Sequence, residues 1–289
     1  MRPGSPLISE ETRQRLRYVK ADDPRLSLDR FPDFFIVGPQ RTGTTWLHAN
    51  LRWHPEIFMA EPKEIFFFNR LSERKHPKFV TNDLGWYLRF FRPSPALWVY
   101  EHLMALQHHG RIYRPRVRGE ASASYAAMSD ELIAELAVLG PKSRILMMVR
   151  DPVERAWSHA KKDLVRNRDR KMEDVSDAEW QAFFSDPYQL RCAHASRMLE
   201  HWRAHFPAQQ VLAARYNDVS ERPESLLTET MTFLGVSSGP RYIGALARET
   251  VNPTPESRIP EKHRAFLEEI LDDAVQDWKN NWAPSSETT

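Results

Sequence analysis

The segment with the clearest potential for chemistry is the loop from Gly38 to Thr45, which reads Gly-Pro-Gln-Arg-Thr-Gly-Thr-Thr. It follows a short apolar run at residues 33–38, and residues 46–51 carry apolar side chains at helical spacing. In strand–loop–helix segments of this kind, backbone N–H groups converge on an anion, and the helix N-terminus adds favourable partial charge. The sequence therefore predicts a phosphate-type anion site here, although a glycine-containing turn that binds nothing has the same local pattern.

Two residues of this loop narrow the kind of anion. Thr44 stands where the P-loop of a nucleoside triphosphatase carries its phosphate-gripping lysine, so the main cation of such enzymes is missing. Arg41 instead places a guanidinium group inside the turn, and its planar fork suits an oxyanion with several acceptor oxygens. The loop thus favours a ligand other than a nucleoside triphosphate.

A second cation, Arg150, follows the apolar run at residues 144–149. Open α/β sheets bind ligands at the carboxyl ends of their strands, where an NTPase would place an acidic residue to hold magnesium. Ser158 lies about two helical turns further along the chain. Arg150 and Ser158 therefore predict a site for a second anionic group, and an ion pair of Arg150 with Asp151 or Glu154 is the structural alternative.

These motifs belong to an alternation of apolar runs and helical segments. A third apolar run spans residues 210–216, and helical periodicity is found at residues 153–165, 223–234 and 261–282. Strands that alternate with helices predict an α/β protein. We expect a three-layer, P-loop-like fold in which helices cover both faces of a central, mostly parallel sheet.

The domain organisation is predicted from local composition. Residues 1–30 are polar and indicate an N-terminal extension, whereas residues 31–283 form one domain. Residues 71–117 combine several prolines with many aromatic side chains and interrupt the pattern, so we expect a substrate-side insertion there. Residues 284–289 are typical of a flexible tail.

Composition argues against several classes of protein. The 289 residues include 41 Lys and Arg against 39 Asp and Glu, and the net charge of +2 is too small to indicate a nucleic-acid partner. The basic run at residues 161–171 is then interpreted as a solvated face. Cys192 is the single cysteine, which fits a reducing compartment. Since no apolar leader and no apolar run of membrane-spanning length is found, we expect a cytoplasmic protein without a membrane partner.

Together these motifs resemble those of the sulfotransferases that use 3′-phosphoadenosine-5′-phosphosulfate (PAPS), most closely the heparan sulfate N- and O-sulfotransferase branch and its bacterial relatives. Residues 39–45 are similar to that branch's Pro-Gln-Lys-Thr-Gly-Thr-Thr. Residues 149–158, Val-Arg-Asp-Pro-Val-Glu-Arg-Ala-Trp-Ser, are similar to the family's Arg-Asp-Pro-x-x-Arg-Ala-x-Ser. Residues 64–69 and 119–125 look like two further blocks of the family, and the resemblance extends over roughly residues 34–234.

The resemblance implies a role for each matching residue. Arg150 and Ser158 would bind the 3′-phosphate, and a loop at residues 252–260 with Arg258 would close over the cofactor. No metal is implied, and the product nucleotide would be 3′-phosphoadenosine-5′-phosphate (PAP). The 5′-phosphosulfate would be bound by Arg41, Thr42, Gly43, Thr44, Thr45 and Trp46.

Two positions depart from the branch. Arg41 replaces a lysine and keeps its charge, so we still expect PAPS to bind. Ala121 replaces a lysine that glycan-modifying relatives place near the acceptor, which weakens the expectation of a highly anionic sugar chain.

Glu64 is the candidate general base, because it precedes three phenylalanines and lies in the block that supplies the base in the family. Glu61, three residues earlier, and His48, on the helix after the loop, are its competitors. The residues expected to contact or orient the substrate are Lys63, Glu120 and Phe67.

The predicted activity is transfer of the sulfuryl group from PAPS to a hydroxyl or amine acceptor by in-line displacement. A P-loop kinase or NTPase and a non-catalytic PAP-binding module are the alternatives. Aromatic side chains between residues 53 and 98 indicate either an acceptor pocket or a core. A glycan, a phenolic metabolite and a lipid-like alcohol are all compatible with this stretch.

Overall fold

The computed structural model of the protein describes residues 7–77, 79–249 and 258–283. Its centre is a sheet of five strands in the order β2-β3-β1-β4-β5, in which each pair of neighbours is parallel. This confirms the predicted α/β fold with a central parallel sheet. The strands are β1 (Phe34–Val37), β2 (Ile57–Met59), β3 (Val117–Ala121), β4 (Arg144–Val149) and β5 (Val211–Arg215).

Helices connect the strands and cover the sheet. The helix after β1 begins at Thr44 and ends at Arg52, close to the predicted end near His54. The α-helices of the described residues are α1 (Glu10–Gln14), α2 (Thr44–Arg52), α3 (Leu84–Leu88), α4 (Pro95–His109), α5 (Asp130–Leu139), α6 (Pro152–Ala160), α7 (Asp177–Phe184), α8 (Pro187–Arg191), α9 (Ala195–His205), α10 (Asp218–Glu221), α11 (Pro223–Leu234), α12 (Glu261–Ile270) and α13 (Asp272–Asn281).

Alternate side chains of the central strands enter two different cores. Phe35 and Val37 of β1 pack with helices α5 and α9, whereas Phe34 and Ile36 pack with α2 and α11 on the other face. All four side chains are fully buried. Because both faces of the sheet are covered, the strand reads as a continuous apolar run and shows no polar alternation.

Helix α6 begins directly after β4. Pro152 occupies its first turn, and the Asp151 carboxylate caps it by accepting a backbone N–H. The helix then widens into a π-helical turn at Lys161–Val165. Such turns are rare and redirect the side chains that follow them. Its apolar face packs with α7, α12 and α13 in a third core.

Two strands were not predicted from the sequence. β2 has only three residues, and β3 contains Gly119 and Glu120, which are uncommon in strands. Gly119 is required here because a Cβ atom at this position would lie 2.2 Å from the ring of Phe34. The tight contact between β1 and β3 therefore depends on a residue that lowers strand propensity.

The segments predicted as extension and insertion both contribute to the main core. Tyr87 and Phe91, from the predicted insertion at residues 71–117, are fully buried in the core that contains β1. In the extension, backbone N–H groups of residues 17–19 donate to the buried Glu135 carboxylate. The predicted tail at residues 284–289 lies outside the described residues. Across residues 7–77, 79–249 and 258–283, no helix has both the length and the apolar character needed to cross a membrane.

We expect Gly119→Ala to lower the free energy of unfolding by about 1–3 kcal/mol, the usual cost of overpacking a well-packed core. The added methyl group would collide with the Phe34 ring in the centre of the sheet. Gly244→Ala is the matched control, because nothing lies within 4 Å of the Cβ atom that it adds. Urea unfolding followed by tryptophan fluorescence measures both variants, and equal stabilities would show that the contact with Phe34 is not restrictive.

Candidate active site

The carboxyl ends of β1, β4 and β5 meet at one edge of the sheet. The loop after β1, Arg150 after β4 and Tyr216 after β5 lie side by side there, around a cavity of about 660 Å³. Two strands and a loop that are distant in sequence therefore form one site. The cavity is lined by Gln40, Arg41, Gly43, Thr44, Thr45, Trp46, Lys63, Glu64, Ala123, Arg150, Lys162, Arg166, Asn167, Tyr216, Val219, Ser220, Pro223, Arg248 and Glu249.

The loop after β1 is held in an unusual backbone conformation. Arg41 has a φ of 77° and Gly43 a φ of 94°, both in the left-handed region. A Cβ atom at Gly38 would lie 2.5 Å from the Met148 carbonyl oxygen, so the loop can pass this close to β4 only with glycine. The hydroxyl of Thr42 donates to the Pro39 carbonyl at 2.8 Å, which closes the turn from inside. A non-glycine residue in the left-handed region at a cavity wall is typical of a functional loop.

Arg41, Ser158 and Arg150 form a continuous chain of contacts. Arg41 Nε donates to Ser158 Oγ at 2.9 Å, and Arg150 Nη1 donates to the Arg41 carbonyl at 3.1 Å. The Arg150 guanidinium group also stacks over the Tyr216 ring, 4.3 Å from its centre. The two motifs that the sequence predicted as anion sites are therefore in direct contact.

Burial lowers the pKa of both guanidinium groups, and for Arg41 the neighbouring charge of Arg150 lowers it further. Both groups nevertheless stay charged, since arginine does not deprotonate in proteins. The hydrogen bonds to the Ser158 hydroxyl and to the Arg41 carbonyl end on neutral oxygens, so neither of these two bonds neutralises a guanidinium charge. Two cations held together in this way favour the binding of an anion.

Basic side chains outnumber acidic ones around the cavity. Lys162, Arg166 and Asn167 reach it from the π-helical turn and the residues after it, within the basic run that is predicted to be a solvated face. That interpretation is incomplete, because this part of the run borders the cavity. The lining contains the basic residues Arg41, Lys63, Arg150, Lys162, Arg166 and Arg248 and the acidic residues Glu64 and Glu249.

A second cavity, of about 980 Å³, adjoins the first. It lies beside helices α8 and α9, and its lining mixes apolar residues such as Phe66 and Met198 with polar and charged ones. A molecule in one cavity can therefore approach a molecule in the other at the shared wall. The residues that line both cavities are Gln40, Glu64, Lys162 and Asn167.

Glu64 is the acidic residue of this shared wall. Only 16% of its side chain is exposed, and Lys63 Nζ lies 3.5 Å from its Oε1 atom. Its Oε2 atom is buried without a hydrogen-bond partner among the described residues. Burial lowers the pKa of the Lys63 ammonium group, while the charge of Glu64 opposes that shift. A buried carboxylate oxygen without a partner can accept a proton from a bound ligand.

The two competitors for the role of base line neither cavity. The Glu61 carboxylate pairs with Arg52 at 2.6 Å and lines neither cavity. His48 is buried on α2, and burial lowers the pKa of its imidazole to about 3. The geometry therefore favours Glu64 over both.

Glu120 lies beneath the site and lines neither cavity. Its carboxylate accepts hydrogen bonds from the Tyr87 hydroxyl and, at 2.6 Å, from the Ser122 hydroxyl. Burial raises its pKa to about 7, against the effect of these hydrogen bonds, and the charge of Glu64 adds to the rise. Glu120 thus ties β3 to α3, and its predicted role in orienting the loop or the acceptor stays a prediction.

Phe67, Trp46 and Arg258, three of the predicted site residues, lie in different surroundings. Phe67 was predicted to contact substrate but is buried in the core, where its ring stacks on the ring of Tyr87 with 4.6 Å between their centres. Its neighbour Phe66, whose φ is 60°, lines the second cavity instead. Trp46 lines the first cavity and donates its Nε1–H to the Ala247 carbonyl. Arg258 is exposed and lies outside the lining, while residues 252–257 of its loop lie outside the described residues.

Comparison with known proteins identifies the family. The model of the sulfotransferase family matches residues 32–239, which is more than half of the chain. The chain therefore belongs to the sulfotransferase family. A solved sulfotransferase structure from Alicyclobacillus acidocaldarius has the same fold, with a TM-score of 0.60 and 23% identity over 86% of this chain and 94% of that one.

The similar curated proteins are much longer than this chain. Bifunctional heparan sulfate N-deacetylase/N-sulfotransferase 4 of Mus musculus is 29% identical over 231 residues, 75% of this chain and 24% of that protein. The corresponding enzyme 3 of Homo sapiens is 29% identical over 232 residues, with the same coverage. The chain thus spans about a quarter of the length of these relatives.

The raised pKa of Glu120 predicts a pH-dependent stability. The folded state holds the proton more tightly than the unfolded state, so this contribution is fully present below pH 4.5 and is lost as the pH rises to about 7. We expect the difference in unfolding free energy between the wild type and Glu120→Gln to fall by about 3 kcal/mol across this range.

Urea unfolding at a series of pH values measures this difference. Glu200→Gln, on the exposed side of α9, is the control and should follow the wild type throughout. If the unfolding free energies of the wild type and Glu120→Gln changed in parallel with pH, this result would contradict the raised pKa of Glu120.

Proposed function

We propose that the protein transfers the sulfuryl group of PAPS to a hydroxyl or amine group of an acceptor. The observation that carries this proposal is the contact between the two anion motifs at one basic cavity. Arg41 of the loop and Arg150 both line this cavity, and Ser158, which is buried outside the lining, accepts a hydrogen bond from Arg41. Membership of the sulfotransferase family supports the reaction class. The shared wall at Glu64 supports a second substrate in the adjoining cavity.

The cavity suits a nucleotide with two separate anionic groups. The loop amides and Arg41 would hold the 5′-phosphosulfate at the N-terminus of α2, and Arg150 with Ser158 would hold the 3′-phosphate. The apolar surfaces of Trp46 and Val219, which also line the cavity, suit a nucleobase. A nucleotide with a single anionic end would leave one of the two sites unused.

The residues of the shared wall would carry out the chemical step. Glu64 would take the proton of the acceptor hydroxyl or amine as a new bond from this atom to sulfur forms. The bond between sulfur and the bridging oxygen breaks on the opposite side, and the electron pair stays on the departing 5′-phosphate of PAP. Arg41 and the loop N–H groups would stabilise the charge that develops on that oxygen. Lys63, beside Glu64, would stabilise the transferred group.

The second cavity would hold the acceptor. Its lining contains both apolar and charged side chains, so it suits an acceptor with an apolar part and polar groups. The curated relatives are named for heparan sulfate. Ala121 stands where glycan-modifying relatives place a lysine, and the chain matches only a quarter of the length of those proteins. We therefore propose the same type of reaction for this chain, with a hydroxyl or amine acceptor that need not be heparan sulfate.

We expect Glu64→Gln to lower turnover by roughly 10²-fold or more, as loss of a general base implies, while PAP still binds. The measurement is a screen with radiolabelled PAPS against hydroxyl and amine acceptors, followed by rates with the best acceptor. Glu61→Gln is the matched control and should retain most of the activity, since Glu61 lies outside both cavities.

Near-normal turnover by Glu64→Gln would overturn the assignment of the base. PAP binding without transfer to any acceptor would favour a non-catalytic module. Phosphoryl transfer from ATP that requires magnesium, without PAP binding, would favour a kinase.

Arg150→Ala should weaken PAP binding by roughly 10- to 100-fold, the effect of losing a hydrogen bond to a charged group. Affinity for adenosine 5′-phosphosulfate, which lacks the 3′-phosphate, should change far less. Isothermal titration calorimetry with both nucleotides measures the two effects, and Arg203→Ala, on an exposed position of α9, is the control. An equal loss of affinity for both nucleotides would show that Arg150 does not bind the 3′-phosphate.

A further inference from the structure

Helix α4 presents an apolar face to solvent. Of its 15 residues, only Glu101 and Ala105 are buried. We call the exposed apolar residues the α4 face; three of them are consecutive, the other two follow at steps of three residues, and together they span about 200° of the helix circumference. They are Trp98, Val99, Tyr100, Leu103 and Leu106, with exposures of 43%, 54%, 46%, 59% and 43%.

The α4 face is a cluster, which distinguishes it from scattered surface apolar residues. Ile112, just after the helix, is 65% exposed and extends the cluster. Elsewhere among the described residues, the large exposed apolar side chains are Leu7, Phe66 and Val80, which lie apart in sequence, and Phe66 borders the acceptor cavity. Contiguous exposed apolar patches of this kind mark interaction surfaces.

Basic residues stand at both ends of α4. Arg89 and Arg92 precede the helix, Arg111 and Arg114 follow it, and all four are exposed. Between residues 89 and 116 the sequence contains one acidic residue, Glu101, and its side chain is buried. Among these residues, the surface around α4 therefore combines exposed apolar side chains with an excess of positive charge.

We propose that the α4 face docks onto the surface of an anionic lipid membrane. Apolar side chains of a surface helix enter the boundary between headgroups and acyl chains, and flanking arginines attract anionic headgroups. Trp98 and Tyr100 are residue types that favour this interface. A helix of 15 residues is about 22 Å long, so it would lie in the plane of the interface.

The arginines also argue against a second copy of the chain as the occupant. In a two-fold symmetric dimer the same patch meets itself. Antiparallel packing of two α4 helices would place Arg89 and Arg92 of one copy against Arg111 and Arg114 of the other. Like charges in contact across an interface are costly, whereas an anionic lipid surface neutralises all of them. This proposal stands independently of the proposed sulfuryl transfer.

Sedimentation with vesicles tests the proposal. The full chain should sediment with vesicles of phosphatidylcholine mixed with phosphatidylserine, much less with phosphatidylcholine alone, and less as salt is raised. The double variant Leu103→Ser/Leu106→Ser should reduce binding at least about tenfold, since two apolar side chains no longer enter the membrane. Arg111→Gln/Arg114→Gln should reduce it by roughly fivefold per arginine.

The controls are Val80→Ser, an equally exposed apolar position elsewhere, and Arg203→Gln, an exposed arginine on α9; both should bind like the wild type. Melting temperature and PAP affinity should be unchanged in all variants, which separates loss of docking from misfolding. Absence of vesicle binding, or equal binding to both vesicle types, would overturn the proposal. A dimer in analytical ultracentrifugation that Leu103→Ser/Leu106→Ser dissociates would assign the α4 face to a second copy.

Discussion

The site depends on the parallel pairing of β1 with β4. This pairing sets Val37 opposite Met147, so that the loop after β1 and Arg150 after β4 leave the sheet at the same edge. In this register Arg150 donates a hydrogen bond to the Arg41 carbonyl, which joins the two strand ends. A slip of one residue would exchange the side chains that enter the two cores, and full burial of both faces therefore fixes the register and the site together.

The features that could be predicted from the sequence are those whose residues are neighbours in the chain and have a recognisable apolar pattern or chemistry. Residues 144–149 form a strand as predicted because every side chain from Ile145 to Val149 is buried, which leaves a continuous apolar run. The anion loop is recognisable because its glycines, Arg41 and Thr44 are neighbours in sequence. Arg150 and Ser158 could be linked because α6 spaces them by about two turns.

The remaining features arise from contacts that the sequence does not display locally. β3 was missed because the Phe34 ring requires Gly119, a residue that strands usually avoid. In the sequence, Lys162 and Arg166 belong to a basic run that resembles any solvated surface. In the structure they lie in or just after the π-helical turn and line the cavity. Phe66 and Phe67 are the same residue type, and only the backbone conformation distinguishes Phe66, at the second cavity, from Phe67, in the core.

The hydrogen bond between Tyr87 and Glu120 limits how freely the connection between β2 and β3 can be exchanged. Tyr87 belongs to the connection between β2 and β3, and other residues of this connection line the second cavity. An experiment that replaces the lining of this cavity with that of a relative would therefore replace this connection. A graft without a hydroxyl group at this place would leave a buried carboxyl oxygen without its donor directly below the site. Part of the lining of the second cavity and a buried hydrogen bond of the scaffold thus lie in the same segment, and a successful chimera must keep the tyrosine or replace both partners at once.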